Sequence, residues 1–264
     1  MLMNIVTVHS FKGGTGKSLL AVTLGYYLGQ QGKKTLVIDG DYGAPCFGTF
    51  FPPTKEPTPF SSFLTGDARF SDVVTETPHS NLWVSYAPTP SFGQEILRAD
   101  VKAHGKYLKR IMAGMKSAQD ELGFDAVVID NSSGISLQAI NFLTCSDRSL
   151  MVIRPVRYGV ETTYGLIDAI YRKLKYADPK GARRDFLVWN QVPDSSDATV
   201  SPRIDAYLDY WQNKFAEAGI AYGTAIPYIS DVVASMISDN PLDVPKLTRY
   251  LQAHIERIAA LVTE

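Results

Sequence analysis

Cysteine is scarce in this chain: there are two in 264 residues, Cys46 and Cys145, far apart and in no C-x-x-C arrangement. That excludes a disulfide framework and fits a reducing compartment, with free thiols as the plain reading and a shared metal cluster as the sharper one. The four histidines, His9, His79, His104 and His254, are scattered and show no ligand pattern. No apolar run approaches the ~20 residues that a membrane span needs. The first residues lead into a glycine-rich loop, not from a charged region into an apolar signal. Net charge is also small, −1 at pH 7, so no global field draws the chain onto nucleic acid or anionic lipid, and any such contact has to come from a local patch. Repeats and low-complexity tracts are missing. A cytoplasmic protein is expected, with direct membrane insertion not expected and one domain over residues 1–264.

What is there is an alternation of β-rich apolar runs with amphipathic stretches. Strands are expected at Asn4–Val8, Thr35–Asp39, Leu82–Tyr86, Ala126–Asp130, Leu150–Ile153, Phe186–Asn190 and Ala221–Ile226. Most are runs of Val, Ile and Leu with little polar alternation, as in strands covered on both faces. Helices are expected at Lys17–Gln30, Lys106–Leu122, and about Gly159–Lys175, Arg203–Ala218 and Pro245–Val262. This order predicts an α/β fold: a doubly wound, mostly parallel sheet flanked by helices. Phe51–Pro90, rich in Pro, Ser and Thr, reads as a loop-rich excursion.

The stretch HSFKGGTGKS, residues 9–18, follows the first strand and opens the first helix. It nearly matches the phosphate-loop pattern G-x-x-x-x-G-K-[ST], with Phe11 in place of the first glycine and a second lysine, Lys12, beside it. Gly13, Gly14, Thr15 and Gly16 would bring backbone N–H groups around an anion at the positive end of a helix. Lys17 would neutralise the β- and γ-phosphates of a nucleotide, and the Ser18 hydroxyl would ligate Mg²⁺. Carboxylates for such a site stand at strand ends: Asp130 in FDAVVIDNSSG, and Asp39 and Asp41 in TLVIDGDYG. A single Asp after a strand is most often a turn-former or cap; three of them in one nucleotide fold argue otherwise.

A basic run, YRKLKYADPKGARRD, gathers Arg172, Lys173, Lys175, Lys180, Arg183 and Arg184. Such a run is usually a solvated face. Non-specific DNA and an acidic protein surface remain open as partners.

FKGGTGKS, IDGD and VVIDNSSG together resemble the ParA/MinD group of deviant Walker A P-loop ATPases, whose loop reads x-K-G-G-x-G-K-[ST]. The likeness runs on through CSDRSLMVIRP, FLVWNQV and AIPYISDVVASMISDNP, and the segment from Asp130 to Ile135 is similar to the MinD-type branch. It implies an ATP-dependent dimerising switch that hydrolyses ATP with Mg²⁺, slowly without a stimulating protein partner, in intracellular positioning or partitioning. By the same resemblance Lys12 reaches the nucleotide of the other subunit in an ATP-bound homodimer, and Asp41 orients the attacking water. Asp39 and Asp130 belong to the metal shell, Asn190 recognises adenine, and Pro227 lines the nucleotide site. Departures stand beside it: Ser132 where the group usually has proline, Val156 where MinD-type members often carry glutamate, and Cys46 with no counterpart. Two other readings share the fold. A small-molecule kinase or ligase like dethiobiotin synthetase would bind its substrate with residues of the 51–103 region and would not need Lys12. A metal-cluster carrier would need paired cysteines, which Cys46 and Cys145 do not supply, so no cluster is expected. A basic amphipathic tail is not expected either, because Leu247, Leu251, Ile255, Ile258 and Leu261 read as the packing stripe of a core helix.

Overall fold

The computed structural model describes residues 3–176, 183–194, 197 and 199–263. Eight strands form one sheet: β1 (Asn4–His9), β2 (Thr35–Gly40), β3 (Thr75–Glu76), β4 (Leu82–Ser85), β5 (Ala126–Asn131), β6 (Arg148–Ile153), β7 (Arg184–Val192) and β8 (Ala221–Pro227). Their order is β3-β4-β2-β5-β1-β6-β7-β8. Every described pairing is parallel except β3 with β4. The fold is the expected doubly wound α/β sheet. The helices are α1 (Lys17–Gln30), α2 (Phe47–Phe50), α3 (Phe60–Thr65), α4 (Pro90–Leu97), α5 (Val101–Asp120), α6 (Leu137–Thr144), α7 (Arg157–Tyr176), α8 (Ser201–Glu217), α9 (Ser230–Ser238) and α10 (Val244–Thr263), with a 3₁₀ turn at Phe70–Val73.

Because successive strand side chains point to opposite faces, alternate residues divide the core. Val6, Val8, Val37, Val128, Val152 and Val188 face the layer of α1 and α10, where Leu20, Leu24, Leu251 and Ile255 meet them. Their neighbours Leu36, Ile38, Val127 and Ile129 face the other way, onto Phe60, Phe63, Ile111 and Met115. Farther along that side, Met151, Ile153, Leu187 and Trp189 pack on Ile167, Tyr171 and Phe215 of α7 and α8. Two-sided burial is why the strands read as unbroken apolar runs.

Sequence and structure differ in the short elements. Phe51–Pro90 is more than a loop: it holds α3, the 3₁₀ turn and β3, packed through Phe60, Phe63 and Phe70. The helix expected at Lys106 begins at Val101, because Asp100 caps it by accepting the Ala103 N–H at 2.7 Å. Among the described residues no helix is long and apolar enough to cross a membrane.

Candidate nucleotide site

In an open parallel sheet the crevice lies beyond the carboxyl ends of the strands where the connections reverse. Here β1 sits between β5 and β6, and the loop after β1 occupies that crevice. Gly16 caps α1 with φ +90° and no side-chain hydrogen bond, and no acidic residue stands in the first turn. The helix therefore presents free N–H groups and its positive end to the crevice. The Ser10 hydroxyl donates to the Lys12 carbonyl at 2.7 Å, and the Asn190 amide donates to the Thr15 carbonyl at 2.7 Å. The loop is thus braced within itself, by the residue that follows β1, and from β7.

The two lysines part company. Lys17 is buried, 6% exposed, whereas Lys12 is exposed on the outside of the loop. A cavity of about 490 Å³ opens beside Lys17 and Ser18. Gly13 to Ser18, Asp41, Asn190 and Pro227 all line it, so most of the expected nucleotide contacts share one space. Asn190 is 6% exposed, and its amide nitrogen is engaged by the loop carbonyl.

Asp39 and Asp130 are register partners on adjacent strands β2 and β5. Both are buried. Asp39 accepts backbone N–H groups of Asp41, Cys46 and Phe47 at 3.1–3.2 Å, yet burial outweighs them and lifts its pKa to about 7. Neither oxygen of Asp130 has a hydrogen-bond partner of ordinary geometry among the described residues. Burial first and the Asp39 charge second push it to about 8, offset in part by the nearby Ser18 hydroxyl and Lys17. Two orphaned carboxylate oxygens beside a hydroxyl and a phosphate loop are a donor set suited to a small, hard cation, with phosphate and water completing its shell. Among the described residues no three His, Cys, Asp or Glu side chains form a cage that would hold a metal unaided. Asp41 is half-buried, its carboxylate accepting the Ala44 N–H at 3.1 Å.

Residues 3–179 match the protein family described as AAA domain. The chain belongs to the ParA/MinD-type P-loop ATPases. It is 27% identical over 192 residues to an uncharacterised ATP-binding protein of Methanocaldococcus jannaschii, covering 73% of this chain and 66% of that one. It is 28% identical over 167 residues to the sporulation initiation inhibitor protein Soj of Bacillus subtilis, covering 63% and 64%. The matches thus span just under two thirds of these relatives' own length. The septum site-determining protein MinD of Pyrococcus horikoshii, solved with Mg-ADP, superposes over 100% of this chain and 97% of that one with a TM-score of 0.71 at 18% identity, a likeness of fold.

Within this ParA/MinD-type chain, some expectations need correction. Arg183 does not join an exposed basic face. Its side chain is 6% exposed, pairs with buried Asp185 at 2.9 Å, and donates to the Leu143 and Ser146 carbonyls at 2.6 and 2.9 Å. Arg172, Lys173 and Arg184 are exposed; the Lys175 side chain and Lys180 lie outside the described residues. The two cysteines pack against different cores, and burial raises both thiols to about 12, away from the thiolate that binds metal. The cavity also reaches farther than expected, through Ile229, Val232 and Met236 of the α9 region to Phe50, Leu242 and Leu251. Their apolar spacing is visible in ISDVVASM, but nothing local in the sequence says that α9 turns toward the phosphate loop.

Proposed function

We propose that this chain is an Mg²⁺-dependent ATPase whose ATP-bound form is a homodimer and whose hydrolysis resets it, serving intracellular positioning or partitioning. The observation that carries the reading is that Ser18, Asp41 and buried Lys17 line one cavity, with the buried register pair Asp39–Asp130 at the neighbouring strand ends, the Asp130 carboxylate near Ser18 and Lys17, and a second lysine, Lys12, exposed and outside that lining. Ser18, with Asp39 and Asp130, would hold Mg²⁺, which when bound supplies charge neutralisation on the phosphate oxygens. Lys17 and the N-terminal amides of α1 hold the β- and γ-phosphates, while Asp41 orients the water that attacks the γ-phosphorus as the β–γ bond breaks.

Lys12, exposed on its own subunit, fits a role toward the nucleotide of a second copy, and cations supplied in trans change phosphoryl-transfer rates by about 10³–10⁵ in GTPases. A protein partner that completes or steadies this arrangement would accelerate it. Named functions among the relatives, including chromosome partitioning and septum-site determination, support the cellular role.

Titration calorimetry with Mg-ATP tests the site. Lys17→Ala removes a desolvated charge facing the phosphates and is expected to weaken binding by about 2–3 kcal/mol or more. Unchanged affinity would overturn the assignment of the phosphate loop.

A further inference from the structure

The ends of β2 and β5 are joined by a side chain that the nucleotide reading leaves unused. Gln138, in the first turn of α6, is 3% exposed. Its Oε1 accepts the Ser132 hydroxyl at 3.0 Å, and its Nε2 donates to the Gly40 carbonyl. Gly40 is held from the other side as well: a Cβ there would lie 2.8 Å from the Asp130 carbonyl oxygen and 2.9 Å from the Phe142 ring. The next residue along the chain is Asp41, whose own N–H donates to Asp39 at 3.2 Å.

The helix that carries Gln138 is itself fixed to β5. Asn131 donates to the Ala139 carbonyl at 3.0 Å, and the Ser136 hydroxyl caps α6 by accepting the Ala139 N–H at 3.1 Å. On the nucleotide side, Ser133 lines the cavity, and the Gly134 N–H donates to the Ser10 carbonyl at 3.0 Å. Space-filling alone would be met by Leu or Met at lower desolvation cost; a buried amide is retained here with both ends matched.

We infer that Gln138 is a positioning residue for ATP hydrolysis: held by Ser132, it fixes the backbone immediately before Asp41 and so aims the carboxylate that orients the attacking water. The inference rests on the reading of Asp41 given above. The loop after β5 touches the cavity through Ser133 and Asp41 through Gln138, so a change at the phosphates is passed to the hydrolytic carboxylate through one side chain.

The test compares Gln138→Leu, Ser132→Ala, Asp41→Ala and the Gln138→Leu/Asp41→Ala double variant, each with steady-state ATPase kinetics, Mg-ATP titration calorimetry and thermal melting. Gln138→Leu is expected to lower kcat about tenfold or more, since small misplacements of a reacting group are costly, while KM and nucleotide affinity change by less than about threefold. Ser132→Ala, which removes the anchor but leaves the Gly40 contact, is expected to lower kcat by a smaller factor in the same sense. In the Asp41→Ala background Gln138→Leu is expected to cost nothing further, because the group it aims is gone. A folded Gln138→Leu with unchanged kcat beside an inactive Asp41→Ala would overturn the positioning role alone. Full turnover by Asp41→Ala would overturn the underlying reading and the inference with it. If Gln138→Leu does not fold, Ser132→Ala decides: unchanged kcat in that variant overturns the inference, and a kcat loss at constant KM supports it.

Discussion

Asp130, next to last in β5, has two buried oxygens with no hydrogen bond of ordinary geometry among the described residues, an arrangement that the fold tolerates at a cost. The carboxyl keeps its proton in the native state up to about pH 8, whereas in the unfolded chain it loses it near pH ~4. Native stability from this group is therefore fully present at low pH and is lost as pH climbs through the folded value. Asparagine, with no proton to lose, removes that slope. Asp130→Asn is expected to match the parent protein near pH ~4 and to exceed it by at least about 1–3 kcal/mol at pH 9 in the absence of metal and nucleotide. Urea melts at the two pH values check this, and a parent protein that gains stability between them would count against it. The same variant is expected to lose Mg²⁺-dependent tightening of ATP binding. Stability and function pull this residue in opposite directions, which is characteristic of a site whose ligand completes it.

At the scale of elements, the strand–loop–helix unit β1–α1 was legible because each part has a local cause: an apolar run, glycines, a lysine–serine pair and a largely buried, apolar-rich helix whose ends, Lys17 and Gln30, coincide with the expected ones. Gly16 is the point where its loop is tightest. Its φ is +90°, and a Cβ there would lie 2.4 Å from the Asn190 amide nitrogen. Gly16→Ala is expected to force the loop off β7 and to weaken ATP binding by about 1–3 kcal/mol through strain at that residue, with a smaller change in melting temperature; calorimetry and thermal melting measure the two separately. Other elements were hidden for physical reasons. The helix α6 has eight residues, too few to show a period, and the importance of Gln138 depends on β2 lying across from it, which no spacing along the chain encodes. Arg183 was misread as surface although a signal was present: Asp185 stands two residues on, on the same side of an extended chain, and together they form a buried ion pair. The run Phe51–Pro90 reads as loop by composition, yet phenylalanines pack it against α5.

For the whole molecule, the proposed role of exposed Lys12 would tie turnover to association. Asp41→Ala with ATP is expected to accumulate as a dimer, because nucleotide is bound but water is not aimed, and Lys12→Ala is expected to bind ATP yet stay monomeric or turn over very slowly. Light scattering with ATP, with ADP and without nucleotide distinguishes these, and a monomer under all three conditions for Asp41→Ala would count against the proposed ATP-bound homodimer. If the exposed Arg172, Lys173 and Arg184 meet phosphates, that dimer is expected to shift duplex DNA regardless of sequence, with a log–log salt slope growing by about 0.9 per phosphate neutralised. Failure to shift DNA at about 50 mM salt assigns the run to a protein contact or to solvent. The protonated carboxyls at the ends of β2 and β5 have one more consequence. A formal charge of −1 counts Asp39 and Asp130 as ionised, whereas burial pushes both carboxyls toward their protonated forms. If these carboxylates hold Mg²⁺ as proposed, binding of the cation with nucleotide is expected to displace protons from them into the solvent. Loading is then expected to acidify a weakly buffered solution, and the electrophoretic mobility to change by more than the charge of the ligand alone.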